Sequence, residues 1–342
     1  MDNIGKLKKL IEEADRIMVT SHISPDPDAV SSLLLMSETL WFNFPDKKIE
    51  SILEEVPANL DFIKGYQSIK FAPVKDTIEE FKPDLFILLD ANNYERCSRH
   101  DGAKVRELLQ QNSVITVIID HHEPDGKDAV DVYINQNSPA CAQDVYVVCF
   151  DGLKLKQPPQ AAQTAMTGLY ADSGGFAYMK DGNHKRLFAL AERLIEDGAN
   201  IEQIKNQLNS FSMDNMRAMS ELFSNIKNGG EFTYSYLSDK FMDDWLDQGL
   251  TYSTLQLSTG TFLDEFIRNI EGRPWGFIVY KNKLQGDNIY SVSLRAVNGT
   301  RDVAKIAMDL GGGGHKGAAG AKFEAESVDA AIDKVKAAIA AD

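Results

Sequence analysis

Short apolar runs alternate with longer amphipathic segments along the first half of the chain. The runs RIMVTS (16–21), LFILLD (85–90) and SVITVIID (113–120) are dominated by apolar residues, as expected for strands that are buried on both faces. Helical patterns occupy residues 28–41, 102–110, 140–150 and 159–170. This alternation predicts an α/β domain with a doubly wound, mostly parallel sheet.

The pattern changes in the second half of the chain. It is helical and polar from about residue 183 to 226, and then strand patterns return as FTYSYL, WGFIVY and NIYSVSLRA. The helical pattern RDVAKIAMDL, a glycine run and a final helix from Ser327 follow. We therefore expect a first domain over 1–182, a helical linker over 183–228 and a smaller α+β domain over 229–342.

Composition restricts the classes of partner and compartment. The formal net charge of −15 argues against broad binding to long nucleic acid, including duplexes, because such binding relies on a basic surface. Short anionic substrates held by a few cations stay compatible with this charge. The sequence shows no membrane span and no secretory signal. Three cysteines without a CxxC motif indicate reduced thiols, so a cytoplasmic protein is expected.

Polar residues follow the apolar runs at the positions where open α/β sheets bind ligands. The three predicted strands are followed by His22, by Asp90 and by Asp120 with its neighbours. Taken alone, each acid has a simpler explanation: Asp28 as a helix cap, Asp90 as a turn former and Asp172 as part of a helix-ending loop. In SHISPDPDAVSS (21–32), however, two prolines stiffen the segment that carries the carboxylates.

The conjunction of these residues favours a metal site. The set combines imidazole and carboxylate groups without thiolates, a choice of ligands that favours Mn²⁺ over structural zinc. Its number of acids indicates two ions, which can clamp the phosphorus of an in-line displacement. Adjacent side chains in extended backbone diverge, so one of two neighbouring histidines can bind metal while the other faces substrate. The residues are His22, Asp26, Asp28, Asp90, Asp120, His121, His122 and Asp172.

The second domain offers a candidate anion site. Four consecutive glycines, 311–314, precede His315. One glycine suffices to end a helix, whereas several permit close approach of backbone N–H groups to a phosphate. Arg295 ends a strand in the same domain, and its guanidinium group suits bidentate phosphate contact. The expected substrate-binding residues are Arg295, Gly313, Gly314 and His315.

The motifs together resemble a known family. SHISPDPDAVSS, LLDANNYER, IIDHHEPDG and YADSGGF resemble, in order, the four motifs of the DHH phosphoesterase superfamily, and SVSLRA…LGGGGHKGAAG is similar to the DHH-associated domain. In length and layout the chain is most similar to the bacterial oligoribonuclease (nanoRNase) and 3′-phosphoadenosine-5′-phosphate (pAp) phosphatase group. The resemblance implies dependence on two Mn²⁺ ions, with Mg²⁺ or Co²⁺ as alternatives, and an active cleft between the two domains.

The resemblance also assigns roles to individual residues. His22 and Asp26 would ligate the first ion, and Asp28, His121 and Asp172 the second. Asp90 would bridge both ions, Asp120 would orient its neighbours, and His122 would contact the scissile phosphate or assist the leaving oxygen. The catalytic group is thus Asp90, Asp120 and His122.

The chain departs from the family pattern at positions that are not metal ligands. Ser31 replaces a small glycine, and Ala142 and Gln143 stand where a Ser-Thr pair is frequent. Substrate contacts from these loops are therefore less well determined than the metal site.

The expected activity is hydrolysis of short single-stranded RNA, or of small nucleotide phosphoesters such as pAp, to mononucleotides. The alternatives are a phosphodiesterase for cyclic dinucleotides or linear pApA, and a catalytically silent nucleotide sensor. A pyrophosphatase or exopolyphosphatase is disfavoured because those relatives carry a different C-terminal domain. A homodimer is one alternative for the assembly, and no membrane partner is expected.

Overall fold

The computed structural model describes residues 2–57, 59–124, 126, 128–177, 184–283, 286–297 and 299–341. The chain divides into two compact units, Met1–Ser210 and Phe211–Asp342. Among the described residues, no helix combines the length and the apolar character needed to cross a bilayer.

The first unit is built on a parallel sheet. Its strands are β1 (Arg16–Thr20), β2 (Lys48–Leu53), β3 (Lys70–Phe71), β4 (Leu85–Leu89), β5 (Ile115–Ile119) and β6 (Val132–Ile134), in the order β3-β2-β1-β4-β5-β6. Each adjacent pair of these strands is parallel. The strand order reverses between β1 and β4, which creates the crevice where such sheets bind ligands.

Helices cover both faces of this sheet, which confirms the predicted doubly wound α/β class. Along β4, Ile87 packs into one hydrophobic core and the adjacent Phe86 into another, because successive side chains of a strand point to opposite faces. The helices are α1 (Asn3–Glu13), α2 (Pro27–Asn43), α3 (Val74–Phe81), α4 (Gly102–Gln111), α5 (Cys141–Tyr146), α6 (Ala161–Asp172), α7 (His184–Glu196) and α8 (Ile201–Leu208).

The helices of the segment expected as a linker, 183–228, are shared between the two units. Leu187 and Leu194 of α7 pack into the core of the first unit. By contrast, Ala218 and Leu222 of α9 (Met213–Ser224) pack into a core of the second unit. The apolar face of each helix therefore decides the unit to which it belongs.

The second unit contains a mixed sheet with helices against it, in agreement with the predicted α+β class. Its strands are β7 (Lys227–Asn228), β8 (Thr233–Tyr236), β9 (Trp275–Lys281), β10 (Ile289–Ala296), β11 (Gly313–His315) and β12 (Ala318–Glu324), in the order β11-β12-β10-β9-β8-β7. Only β8 and β9 pair in parallel among these strands. The further helices are α10 (Asp239–Asp247), α11 (Tyr252–Thr261), α12 (Val303–Asp309) and α13 (Val328–Ala341).

The glycine run, 311–314, ends a helix and begins a strand. Gly311, with a φ of 81°, follows α12 and ends it. The next glycines lead into the edge strand β11, which pairs with β12. A Cβ atom on Gly312 would lie 2.1 Å from the carbonyl oxygen of Gly320, and one on Gly314 would lie 2.6 Å from that of Ala318. Close strand packing therefore already requires glycine at these two positions.

Candidate metal centre

Polar side chains gather where β1, β4 and β5 end. The strands are adjacent and parallel, so the residues that follow them emerge at the same edge of the sheet. Asp90 lies at the middle of this edge, between the residues that follow β1 and those that follow β5. Its backbone N–H donates to the Ile119 carbonyl (3.0 Å), which continues the strand pairing to the last residue.

Asp90 adopts an unusual backbone conformation. Its φ is 55°, in the left-handed region, which costs a non-glycine residue on the order of 1 kcal/mol. The carboxylate is 2% exposed. The turn directs it between two histidines: Oδ2 lies 3.3 Å from His22 Nε2, and Oδ1 lies 3.2 Å from His121 Nε2. One buried carboxylate thus faces two imidazoles with its two oxygens.

The first group of donor atoms consists of His22, Asp26 and Asp90. Nδ1 of His22 lies 2.7 Å from the Ile23 carbonyl. That contact fixes the proton on Nδ1 and leaves Nε2 as the atom that faces the carboxylates. Asp26 caps α2, because its Oδ1 accepts from the N–H groups of Asp28 and Ala29. Its Oδ2 is 3.9 Å from His22 Nε2.

The second group consists of Asp28, His121 and Asp172. His121 Nε2 lies 3.4 Å from Asp172 Oδ2 and 4.0 Å from Asp28 Oδ2. Asp28 is fully buried. Its Oδ2 accepts from the N–H of Cys141 (2.6 Å) and its Oδ1 from that of Ala142 (3.0 Å). The first amides of α5 therefore fix the direction of this carboxylate.

A close approach of two helices creates the space for Asp28. A Cβ atom on Gly168 of α6 would lie 2.5 Å from Asp28 Oδ1, 2.7 Å from Ala142 Cβ and 3.1 Å from Ser31 Cβ. Two of the three departures from the family pattern, Ser31 and Ala142, therefore border the position that Gly168 leaves open. Ala142 holds Asp28 through its backbone, so its side chain has no part in that contact.

Asp120 and His122 belong to a third group of donor atoms, together with Asp90 and His121. His122 Nδ1 lies 3.6 Å from Asp90 Oδ1. Asp120 is fully buried, and its Oδ1 accepts from His122 Nδ1 at 2.8 Å while its Oδ2 accepts from the Tyr133 hydroxyl at 3.4 Å. His122 is 28% exposed. Because Nδ1 is engaged by Asp120, Nε2 is the ring atom available to a substrate. The adjacent His121 faces the metal-ligand groups instead, so the two histidines have different environments.

The electrostatics of this cluster are unbalanced without a cation. Burial lowers the pKa of His22 and His121, but nearby carboxylates outweigh it and raise these pKa values to about 9 and about 10. Burial, together with the neighbouring acids, raises the pKa of Asp172 to about 7 and that of Asp28 well above its usual value. Burial also opposes ionisation of Asp90, yet His121 and His22 hold its pKa below the usual range.

These groups fit a divalent cation. Oxygen and imidazole ligands lie about 2.0–2.2 Å from such an ion, so neighbouring ligands of one ion are roughly 3 Å apart. The separations of 3.2–3.4 Å around Asp90 and His121 are close to this value. A cation would also replace the protons that the two histidines otherwise hold. The donor set contains imidazoles and carboxylates but no thiolate, which favours Mn²⁺ or a similar ion.

The predicted substrate-binding residues lie together at one edge of the second sheet. Ala318 pairs with Arg295 on β10 and with His315 on β11, so all three share one row and one face. Two strand spacings, about 10 Å, separate Arg295 from His315. Gly313 and Gly314 directly precede His315 in β11. Arg295 Nε donates to Asp264 (3.2 Å), which restrains the guanidinium group. The role of this row in binding substrate stays a prediction.

Sequence analysis missed the residues that hold the ligands in place. The Cys141 and Ala142 amides and the space at Gly168 were not identified. A glycine four residues before Asp172, within a helical pattern, is the local signal that was available.

Comparisons with known proteins agree with this architecture. The DHH family N-terminal domain matches residues 16–171, and the DHHA1 domain matches residues 248–341. The bifunctional oligoribonuclease and PAP phosphatase NrnA of Mycoplasma pneumoniae is 27% identical over 328 residues, covering 95% of this chain and 92% of that protein. The protein of the same name from Bacillus subtilis is 24% identical, covering 93% and 92%.

Solved structures share the fold. An exopolyphosphatase-related protein from Bacteroides fragilis superposes with a TM-score of 0.83 at 22% identity, covering 99% of this chain and 96% of that one. The exonuclease RecJ bound to manganese has a TM-score of 0.53 at 16% identity, covering 100% and 94%. With both domain types matched in order along the chain, this protein carries a DHH family N-terminal domain followed by a DHHA1 domain.

Proposed function

We propose that this protein is a divalent-metal-dependent phosphoesterase that hydrolyses short oligoribonucleotides and pAp to mononucleotides. The observation that carries the proposal is the position of Asp90, a buried carboxylate whose oxygens lie 3.3 Å and 3.2 Å from two imidazoles that belong to separate donor groups. That arrangement suits two ions with one shared ligand. The names of the curated relatives support the choice of substrates.

His22, Asp26 and Asp90 would hold one Mn²⁺ ion, and Asp28, His121 and Asp172 the other, with Asp90 shared. Bound there, the ions supply Lewis acidity at the phosphoryl group and lower the pKa of water. Hydrolysis forms a P–O bond to the water oxygen and breaks the ester P–O bond. The attacking water releases a proton to solvent as the new bond forms, and the departing oxygen requires one. His122 in its imidazolium form would deliver that proton from Nε2 while Asp120 holds the Nδ1 proton.

The proposed specificity for short substrates rests on charge. A chain with a net charge of −15 repels a polyanion, and the repulsion grows with each phosphate outside the site. Contacts for one or two phosphates are offered by Arg295, His315 and the glycines of β11. We propose that the protein acts in the cytoplasm, consistent with three free, buried cysteines. Whether it forms a homodimer stays an open prediction.

The test is a turnover panel at fixed Mn²⁺ and two salt concentrations. It compares 5′-labelled RNAs of increasing length with pAp, cyclic and linear di-AMP and pyrophosphate, using Asp90→Asn as the control for contaminating nucleases. We expect kcat/KM to peak for RNAs of about two to five nucleotides. The decline with length should become shallower at high salt, which screens the repulsion.

Three results would contradict the proposal. Binding of nucleotides without turnover of any of them would indicate a silent sensor. Fastest turnover of a cyclic dinucleotide or linear di-AMP would favour the alternative phosphodiesterase. Degradation of a long RNA as fast as a dinucleotide at low salt would indicate a processive exonuclease.

A further inference from the structure

The loop after β6, residues 135–138, contacts the two adjacent histidines, His121 and His122. Asn135 donates through Nδ2 to the His122 carbonyl at 2.6 Å. The Ser138 carbonyl lies 3.3 Å from His121 Nδ1. A contact to Nδ1 determines which way a metal-binding imidazole turns and leaves Nε2 to face the cation. The position of this loop therefore bears directly on the orientation of His121.

A single buried carboxylate, Asp144, anchors the loop. Asp144 is fully buried and lies in α5, outside the groups of candidate metal ligands found among the described residues. Its Oδ1 accepts from the Ser138 hydroxyl, and its Oδ2 accepts from the Gln136 N–H at 3.3 Å. Since both oxygens bind the loop, neither is directed at a metal ion.

Asp144 is costly to keep in this position. Burial raises the pKa of Asp144 to about 6, although the Ser138 hydroxyl and the Gln136 N–H oppose the rise. Removing one partner of a buried hydrogen bond leaves the other unsatisfied, so we expect a neutral residue at position 144 to hold the loop less well.

The helix that carries Asp144 also holds a second metal ligand. The amides of Cys141 and Ala142, at the start of α5, bind the Asp28 carboxylate. Asp28 and His121 belong to the same donor group, together with Asp172. Thus α5 fixes Asp28 directly through its first amides and fixes His121 indirectly, through Asp144 and the loop.

We propose that Asp144 is a positioning residue for the second metal-ligand group. It anchors the 135–138 loop and orients His121 through the Ser138 carbonyl. In this way it sets the affinity for one of the two ions without binding metal. This inference rests on the proposed metal centre. It goes beyond that proposal because it states that the affinity for one ion depends on Asp144 more than the affinity for the other, although Asp144 contacts neither ion.

The test measures the affinity of the metal-stripped protein for Mn²⁺. Calorimetry gives the affinity for each ion, and electron paramagnetic resonance detects the signal of the coupled ion pair. For Asp144→Asn, whose amide nitrogen cannot accept the second hydrogen bond, we expect affinity for one ion to fall by about tenfold to a hundredfold. Affinity for the other ion should change less than twofold. The coupled signal should appear only at higher Mn²⁺ concentration.

Asp197→Asn is the matched control. Asp197 accepts a hydrogen bond from the hydroxyl of Tyr146, the last residue of α5, at 3.0 Å, and it has no contact with the histidines among the hydrogen bonds of the described residues. We expect this variant to bind both ions as the wild type does. Ser138→Ala removes only the hydrogen bond from the Ser138 hydroxyl to Asp144. It should lower the affinity for the same ion by a smaller factor than Asp144→Asn does.

The outcomes separate the two proposals. If the wild type binds no Mn²⁺, the metal centre itself is wrong. If the wild type binds two ions and Asp144→Asn binds both unchanged, or loses affinity for both equally, the positioning role is overturned and Asp144 serves only the fold. If Asp144→Asn does not fold, Ser138→Ala decides: unchanged affinity for both ions overturns the inference.

Discussion

The candidate metal centre of the first unit is more deeply buried at its middle than the Arg295–His315 row of the second unit. Asp28, Asp90 and His121 are at most 7% exposed, whereas Asp26 at the rim is 49% exposed. In the other region, Arg295 is 25% exposed and His315 is exposed. Buried charges interact strongly because water does not screen them, whereas exposed charges are screened. We therefore expect changes in the first region to affect turnover far more than changes in the second.

The largest effect is expected for Asp90→Asn. The substitution keeps the shape of the side chain but removes the charge that faces both imidazoles, and with it the ligand that we propose the two ions share. Turnover should fall by a factor on the order of 10³ or more. The measurement is kcat together with bound Mn²⁺ in a folded protein, and Asp151→Asn, which affects only a surface ion pair with Arg193, should be normal. Near-normal turnover of folded, metal-replete Asp90→Asn would refute a shared ligand.

Arg295→Ala and His315→Ala should have a smaller effect of a different kind. If these residues bind substrate phosphate as predicted, each substitution removes a contact worth about 1.5–3 kcal/mol. KM for nucleotides should then rise at least tenfold while bound Mn²⁺ is unchanged. A small artificial phosphoester, which lacks the nucleotide, should be hydrolysed almost normally by both variants. Arg273→Ala is the matched control, because Arg273 contacts Asn228 and Gly230 at the other edge of the same sheet. Equal losses on both substrates would show that the row does not bind the nucleotide.

The smallest effect is expected for Gly168→Ala, which changes packing and no polar group. Gly168→Ala places a methyl group against Asp28, and overpacking of this kind costs about 1–3 kcal/mol of unfolding free energy. Gly260→Ala is a matched helical control in the second unit, where a Cβ atom would contact nothing within 4 Å. It should be neutral or stabilising, by up to about 1 kcal/mol. Denaturant unfolding measures both, and equal stability of the two variants would mean that α6 has room to move away from Asp28.

Much of the molecule was predictable because its signals are local. A buried strand followed by a polar residue is recognisable within a few positions, so the sequence located His22, Asp90 and Asp120 and predicted the doubly wound sheet. The strands β2, β3 and β6 were not predicted. Lys48 and Glu50 interrupt the apolar pattern of β2, and β3 and β6 are too short for any period to emerge.

The residue types that follow each strand can be read from the amino-acid sequence, and they define the chemistry of the candidate site. How those residues are held depends on contacts between distant segments of the folded chain. The amides that bind Asp28 lie 113 and 114 positions away in the chain, and the space that Gly168 leaves exists only where α6 crosses α2. Packing also assigned α7 and α8 to one unit and α9 to the other. Such contacts join distant segments, so no local pattern can encode them: they arise only when the helices pack against the sheet.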